Sequence, residues 1–135
     1  MIPILAQRTA LGWSQLRVPV VTVLHGVCFG AALQIALATC IRVAHPDAKF
    51  SVKEIAHGLV PDMAITSTAR HLVRKDALSL LTYTGESIDA DSALRFGLVT
   101  LVEQDALDKG MQLADRIAAN APAAIMAAKK LIRDG

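Results

Sequence analysis

A turn between a predicted strand and a predicted helix provides backbone donors that could stabilise negative charge. The segment VVTVLHGVCFGAALQ, residues 20–34, passes from β-branched residues through glycines into helix formers. If the helix begins near Ala31, its first N–H groups have no intrahelical partner and can stabilise an oxyanion. The small residues Gly30 and Ala31 would let a ligand approach the backbone. Taken alone the signal is weak, because every strand-to-helix turn has free N–H groups.

Two carboxylates that follow this turn in the sequence are candidates for proton transfer. Glu54 and Asp62 are separated by Gly58 and Pro61, which let the chain fold back so that both acids can face one cavity. Burial of such a pair favours general acid–base chemistry. The alternative is that Glu54 pairs with Lys53 or a nearby arginine while Asp62 caps a helix. Spacing alone favours this alternative.

Most other catalytic signatures are absent from the sequence. It contains no phosphate-binding loop, no H-E-x-x-H, no G-x-S-x-G and no histidines or cysteines at metal-ligand spacing. A basic cluster comprises Arg70, His71, Arg74 and Lys75. This cluster is either a contact for phosphates or, as is more common, a solvated helix end favoured by the helix dipole.

The composition indicates one folded domain. The chain has 135 residues, of which 53% are hydrophobic and 19% charged, and its formal net charge is +2. These values exclude intrinsic disorder and argue against a nucleic-acid surface. Cys28 and Cys40 lie in apolar surroundings, so we predict two buried thiols in a reducing compartment and a cytoplasmic location.

An uncharged stretch of 24 residues, Val18 to Ile41, is long enough to span a bilayer. Its first part is strand-like and its second part is built from helix formers, with glycines between them. A buried strand, a turn and a buried helix explain this pattern better than a membrane span. We therefore expect no membrane association.

Strands alternate with helices along the chain, which predicts an α/β fold with largely parallel pairing. The predicted strands are 18–24, 41–44, 50–52 and 98–102, with turns at 25–30 and 45–47. The predicted helices are 7–17, 31–39, 53–57, 61–73, 76–82, 90–96, 105–119 and one that begins at Pro122. Asp89 is a predicted N-cap, and Leu107, Met111, Ala114 and Ala118 form the predicted apolar face of the 105–119 helix.

Several motifs, taken in order, resemble the enoyl-CoA hydratase/isomerase (crotonase) superfamily. They are HGVCFGAALQIALA at 25–38, IRVA at 41–44, DAKF at 47–50, EIAHGLVP at 54–61, TGESIDADSALRFGLV at 84–99 and ADRIAANAP at 114–122. The resemblance implies a crotonase-like spiral of ββα units over residues 1–120, followed at 121–135 by the start of a C-terminal helical region used in oligomerisation. It also implies an acyl-CoA substrate, with coenzyme A as part of the substrate and no separate cofactor. Family members usually form homo-oligomers, either trimers or hexamers.

The resemblance also assigns roles to residues. The thioester oxygen lies between two backbone N–H groups in this family, and the second donor falls on Ala31, beside Gly30. The two glutamates of hydratases fall on Gln34 and Glu54. The sequence around Glu54 resembles the dienoyl-CoA isomerase branch, in which carboxylates at the positions of Glu54 and Asp62 shuttle protons. Because Gln34 cannot take a proton, the resemblance favours an isomerase over a hydratase.

The resemblance covers only the middle and later part of the family. The loop of the type Ala-x-x-Ala-Gly-x-Asp, which supplies the first oxyanion donor, does not occur before Arg17. We therefore expect an N-terminally truncated family member. The alternative function is a catalytically impaired subunit that only binds acyl-CoA or takes part in assembly.

Overall fold

Two strands and a helix form the repeating unit of this chain. A computed structural model describes residues 4–135, so the first three residues of the predicted core region 1–120 lie outside the described part. The strands are β1 Val21–Leu24, β2 Val27–Phe29, β3 Ile41–Ala44, β4 Lys49–Ser51, β5 Ile88–Asp89 and β6 Leu101–Val102. The helices are α1 Leu5–Gln15, α2 Ala31–Leu37, α3 Ile65–Thr68, α4 Lys75–Thr84, α5 Ala90–Phe96, α6 Ala106–Ala118 and α7 Pro122–Asp134, with a 3-10 helix at Lys53–His57.

The first four strands alternate between two sheets. One sheet has the order β1-β3-β6 and is parallel throughout, and the other has the order β2-β4-β5 with only β5 antiparallel. Val21 pairs with Ile41 in the first sheet, and Phe29 pairs with Ser51 in the second. Successive units therefore stack in register. The predicted α/β class with largely parallel pairing is confirmed.

The uncharged stretch from Val18 to Ile41 forms β1, β2 and α2. The predicted turn at 25–30 is wrong in part, because residues 27–29 form β2 and pair with β4. Only His25 and Gly26 separate β1 from β2, and Gly26 turns the chain with a φ of 77°. Among residues 4–135, no helix is both long enough and apolar enough to cross a membrane.

The core is formed by apolar side chains from both sheets and from the helices that follow them. Its largest fully buried apolar members are Phe50, Leu33, Leu81, Leu98, Val43 and Val52. Arg42 is also buried, and its guanidinium donates to the carbonyl oxygens of Leu98 and Thr39 at 2.7 Å each. Cys28 is buried as predicted, but Cys40 is exposed, which corrects the prediction of two buried thiols.

The predicted helix at 61–73 is wrong. Only Ile65–Thr68 is helical there, and Ala64 immediately before it has a φ of 69°, which a continuous right-handed helix does not allow. The predicted strand at 98–102 shortens to β6. Gly97 ends α5 with a φ of 88°, and the Leu98 N–H donates back to Ala93, so the chain becomes extended only afterwards.

The orientation of α6 also differs from the prediction. Leu107 and Met111, on the predicted apolar face, are 65% and 56% exposed, whereas Ala106 and Gly110 are buried. A Cβ added to Gly110 would lie 2.5 Å from Cγ2 of Val23 in β1. The helix therefore packs closely on the sheet through its smallest residues. The apolar pattern of the larger side chains pointed to the wrong face.

The remaining caps agree with the sequence. Asp89 accepts a hydrogen bond from the Ser92 N–H at 2.9 Å and begins α5, and this bond lowers the pKa of its carboxyl. Gly58 and Gly85 end the 3-10 helix and α4 in the left-handed conformation. These ends set the lengths of the elements that carry the candidate site.

Candidate active site

The site lies where β2 and β4 end. These strands are parallel neighbours, so the residues that follow them emerge at the same edge of the sheet. Gly30 follows β2, and the 3-10 helix that carries Glu54 follows β4. The Gly30 N–H donates to the carbonyl oxygen of Ser51 at 3.0 Å, which joins the two strand ends. The register of two strands thus brings together residues that are 24 positions apart in the sequence.

Gly30 allows the Glu54 carboxylate to lie against the turn. Its backbone has φ 59° and ψ −123°, a conformation that residues with a side chain rarely adopt. A Cβ at this position would lie 3.4 Å from Oε1 of Glu54. The predicted turn and the predicted carboxylate are therefore neighbours.

The N–H of Ala31 is available at the same place. Ala31 is the first residue of α2, and no hydrogen bond within residues 4–135 uses its N–H. Since the Gly30 N–H is already donated to Ser51, Gly30 contributes through its missing side chain and Ala31 through its donor. Ala31 is exposed, so a ligand can reach this N–H.

Glu54 is held by a neutral partner. Its Oε1 accepts a hydrogen bond from Nε2 of Gln34 at 2.7 Å, and its Oε2 is buried with no partner in the described chain. Within that same part of the chain, Glu54 has no salt bridge, and the Lys53 Nζ instead lies 5.4 Å from the centroid of the Phe29 ring. The alternative of an ion pair between Glu54 and Lys53 is therefore wrong.

Gln34 connects Glu54 to a third segment. The side chain is 1% exposed, and its Oε1 accepts a hydrogen bond from the Met63 N–H at 2.8 Å. The segment 59–64 is therefore fixed beside the carboxylate. The structure brings three predicted site residues, Gly30, Gln34 and Glu54, into direct contact.

Asp62 lies at the margin of this group. It directly precedes Met63, its side chain is exposed, and its carbonyl oxygen accepts from Nε2 of Gln7 at 3.2 Å. It caps no helix, because the residue that precedes α3 is Ala64. The cap alternative for Asp62 is therefore wrong.

Sequence reasoning missed the contributions of Met63, Ser51 and Gln7. Met63 and Ser51 act through backbone atoms, so their side chains carry no signal for these roles. The Gln7 amide bridges the Ile4 N–H and the Asp62 carbonyl oxygen, which ties the start of α1 to the segment before α3. Only the topology reveals these contacts.

The basic cluster at 70–75 lies in a turn and at the start of α4. Arg74 directly precedes α4 and pairs with Asp76, with its Nε 3.0 Å from Oδ1. This ion pair raises the pKa of Arg74 and lowers that of Asp76. Arg70 and His71 follow the end of the short helix α3, whereas Arg74 and Lys75 lie at the N-terminal end of α4, where the negative end of that helix's dipole does not stabilise them.

Two clefts of the described chain lie away from Glu54. One, of about 330 Å³, lies between the end of α1 and α7, and the other, of about 480 Å³, is lined by Ile41 and the second half of α6. Neither cleft includes a predicted site residue. The candidate site is therefore defined by its contacts rather than by the volume of a cleft.

The sequence is similar to the sequences of known proteins. The family model described as enoyl-CoA hydratase/isomerase matches residues 7–135. A short-chain-enoyl-CoA hydratase of Clostridium acetobutylicum is 32% identical over 119 residues, which cover 87% of this chain and 46% of that protein. A mitochondrial delta(3,5)-delta(2,4)-dienoyl-CoA isomerase of Dictyostelium discoideum is 34% identical over 114 residues, which cover 82% of this chain and 39% of that protein.

A solved structure extends the likeness to three dimensions. The enoyl-CoA hydratase of Mycobacterium smegmatis superimposes with a TM-score of 0.87 at 28% identity, covering 94% of this chain and 50% of that one. The fold is thus the predicted crotonase-like α/β fold, and the chain spans half the length of these relatives or less. The match over residues 7–135 shows that this chain belongs to the enoyl-CoA hydratase/isomerase family.

Proposed function

We propose that this chain acts on an acyl-CoA thioester and transfers a proton on an enoyl- or dienoyl-CoA through an oxyanion-stabilised enolate. The observation that carries the proposal is the contact between Glu54 and the Gly30–Ala31 turn, which puts a carboxylate beside a free backbone donor. Coenzyme A is part of the substrate, and the reaction needs no separate cofactor. Related family members that are named as acting on CoA thioesters support this substrate class.

In the proposed reaction, Glu54 is the base and Ala31 is the oxyanion donor. The Glu54 carboxylate takes a proton from a carbon conjugated with the thioester, and negative charge moves to the thioester oxygen. The Ala31 N–H stabilises that charge. The proton returns to a different carbon of the chain, from Glu54 or through Asp62, and the double bond moves. No atom is gained or lost.

We favour isomerisation over hydration because Gln34 is an amide. Hydration needs a group that activates water in addition to the acid that supplies the other proton. Gln34 can donate to Glu54 or to water, but it cannot accept a proton. Its Oε1 is already occupied by the Met63 N–H. One base suffices for a proton shift along the acyl chain.

The test compares Glu54→Gln with Glu86→Gln. Both changes replace a carboxylate by an amide, but Glu86 is exposed and lies outside the site. Turnover of 3,5-dienoyl-CoA and 2-enoyl-CoA is followed by thioester absorbance. Glu54→Gln is expected to lower kcat by at least about 10²-fold, the usual contribution of a general base, while Glu86→Gln stays near wild type. Equal rates for all three proteins would remove Glu54 from the mechanism.

A second function is a binding or assembly subunit without turnover. It is favoured by Gln34, an amide that cannot take a proton at the position where the resemblance places the first glutamate of hydratases. The motif that would supply the first oxyanion donor does not occur within the 135 residues. Losing one such donor costs about 10²–10³ in rate. Acyl-CoA binding measured by calorimetry, with no detectable turnover by the same preparation, would favour this second function.

The same proposal includes a homo-oligomer, either a trimer or a hexamer, with residues 121–135 in its assembly region. Exposed apolar side chains on α7, Leu131 and Ile132, support this part. A cytoplasmic location is also part of the proposal and is supported by the free thiols of Cys28 and Cys40.

A further inference from the structure

The amide of Gln34 has only one possible orientation. The Met63 N–H can only donate, so the amide oxygen must face it, and the two atoms are 2.8 Å apart. The amide nitrogen then faces Oε1 of Glu54 at 2.7 Å. Because Gln34 is 1% exposed, water does not compete for either contact. A backbone N–H thus determines which end of the amide the carboxylate meets.

This orientation has two consequences for Glu54. A donated N–H stabilises the ionised carboxylate relative to the carboxylic acid. It also occupies Oε1 and leaves Oε2 as the oxygen without a partner. The amide therefore determines which oxygen of the carboxylate is held and which has no partner.

We propose that Gln34 is a positioning residue that holds Glu54, the proposed base, by its Oε1 and leaves its Oε2 without a partner, and that the Met63 N–H sets the orientation of Gln34. This inference rests on the proposed function only in calling Glu54 a base. The contacts themselves do not depend on the substrate. Gln7 supports the arrangement by donating to the Asp62 carbonyl oxygen, which belongs to the same peptide group as the Met63 N–H.

Other charged groups near Glu54 are few. Lys53 lies over the Phe29 ring, and His57, on the same 3-10 helix, is exposed. Asp62, also exposed, is the carboxylate nearest in sequence to Met63. Within the described chain, none of these groups forms an ion pair or a hydrogen bond with the Glu54 carboxylate. Changes in Glu54 after substitution of Gln34 are therefore attributable to the amide.

The test uses the small number of glutamates in the chain. The sequence contains Glu54, Glu86 and Glu103 only, so labelling glutamate with carboxyl ¹³C gives three resonances, and Glu54→Gln identifies the one from Glu54. In Gln34→Leu and Gln34→Met, the midpoint of the Glu54 titration is expected to rise by about one pH unit or more, because the charged form loses a donor and no new charge is introduced. Unchanged midpoints in both variants would overturn the proposal.

Thr39→Val is the matched control. Thr39 is a buried polar side chain just beyond α2, and its hydroxyl donates to Ala36 at 2.7 Å, away from Glu54. This variant also loses a buried hydrogen bond, but its Glu54 midpoint should equal that of the wild type. A rise in Thr39→Val as large as in Gln34→Leu would assign the effect to general loosening of the core and reject the specific role.

A wild-type measurement covers the case in which the Gln34 variants do not fold. The side-chain amide signals of Gln34, observed with ¹⁵N-labelled glutamine, should shift with the same midpoint as the Glu54 carboxyl. Gln34 amide signals that do not change with pH, or that change with a midpoint different from that of the Glu54 carboxyl, would overturn the proposal.

The pH profile of turnover separates this inference from the proposed function. If the chain turns over acyl-CoA, the acid limb of the kcat/KM profile should move with the Glu54 midpoint in the Gln34 variants. If the midpoint moves and no turnover is found, the inferred control of the Glu54 charge stands and the proposed function fails. A moving midpoint beside an unmoved acid limb would show that Glu54 is not the base.

Discussion

The two thiols of this chain differ in burial and therefore in reactivity. Cys28 lies in β2 with 5% of its surface exposed, and burial raises the pKa of its thiol to about 11. The thiolate is the reactive form, so Cys28 is inert near neutral pH. Cys40 follows α2 and is exposed. Modification of Cys40 therefore reports access of the reagent to the folded chain, and modification of Cys28 reports opening of the core.

We expect a disulfide reagent at pH 8 to modify one thiol per folded chain rapidly and the second only in denaturant. The fast thiol is Cys40, so Cys40→Ser should remove the fast phase and leave the slow one. Cys28 should react at least about 10²-fold more slowly than Cys40, because only a small fraction of the Cys28 side chains is present as thiolate at that pH. The reaction is followed by the absorbance of the thiolate that the reagent releases. Rapid modification of both thiols in the native chain would contradict the buried position of Cys28.

At the scale of elements, the closest contact between a helix and a sheet depends on a glycine. Gly110 is buried on the face of α6 that meets β1, where an added Cβ would lie 2.5 Å from Cγ2 of Val23. Gly12 lies inside α1 and is exposed, with nothing within 4 Å of the position of its Cβ. The two glycines have the same effect on helix propensity and differ in their surroundings.

Substitution of these glycines by alanine is expected to have opposite effects. Gly12→Ala should raise the free energy of unfolding by up to about 1 kcal/mol, the gain in helix propensity. Gly110→Ala should lower it by about 1–3 kcal/mol, because overpacking against Val23 exceeds that gain. Urea unfolding followed by circular dichroism measures both. Stabilisation by Gly110→Ala would show that α6 does not lie this close to β1.

The same glycine shows why part of the fold was predictable and part was not. Strand β3 and helix α5 were predicted with their observed bounds because β-branched residues and the Asp89 cap act locally. The packed face of α6 was not predictable, because the close approach to β1 selects Gly110 over the larger Leu107. The predicted helix at 61–73 failed because Ala64 has a φ of 69°, which interrupts a right-handed helix and which no local pattern of residue types indicates.

The candidate site was likewise predictable only in part. Residue types made Glu54 and the Gly30–Ala31 turn candidates, but only the family resemblance favoured them over the structural alternatives. Their contact depends on the register of β2 with β4, which no local pattern specifies. The role of the Met63 N–H was invisible in the sequence, since any residue except proline supplies the same group.

At the scale of the whole molecule, two exposed apolar faces lie on the last two helices. On α7, Leu131 and Ile132 are 75% and 83% exposed, and on α6, Leu107 and Met111 are 65% and 56% exposed. Lys129 links α7 to the segment that precedes β1, because its Nζ donates a hydrogen bond to the carbonyl oxygen of Val18 at 2.7 Å. The two faces offer a direct comparison of α7, in the proposed assembly region, with α6 outside it.

If the chain assembles through α7, replacing Leu131 and Ile132 together by glutamine should lower its mass in solution towards the 14.3 kDa of one chain. Glutamine retains good helix propensity, so α7 should persist while losing its apolar contact. Replacing Leu107 and Met111 by glutamine is the matched control and should leave the mass unchanged. Sedimentation velocity over a range of concentrations gives the masses. A wild type that is monomeric throughout, or two double variants that behave alike, would contradict assembly through α7, because only a specific interface distinguishes one exposed apolar pair from the other.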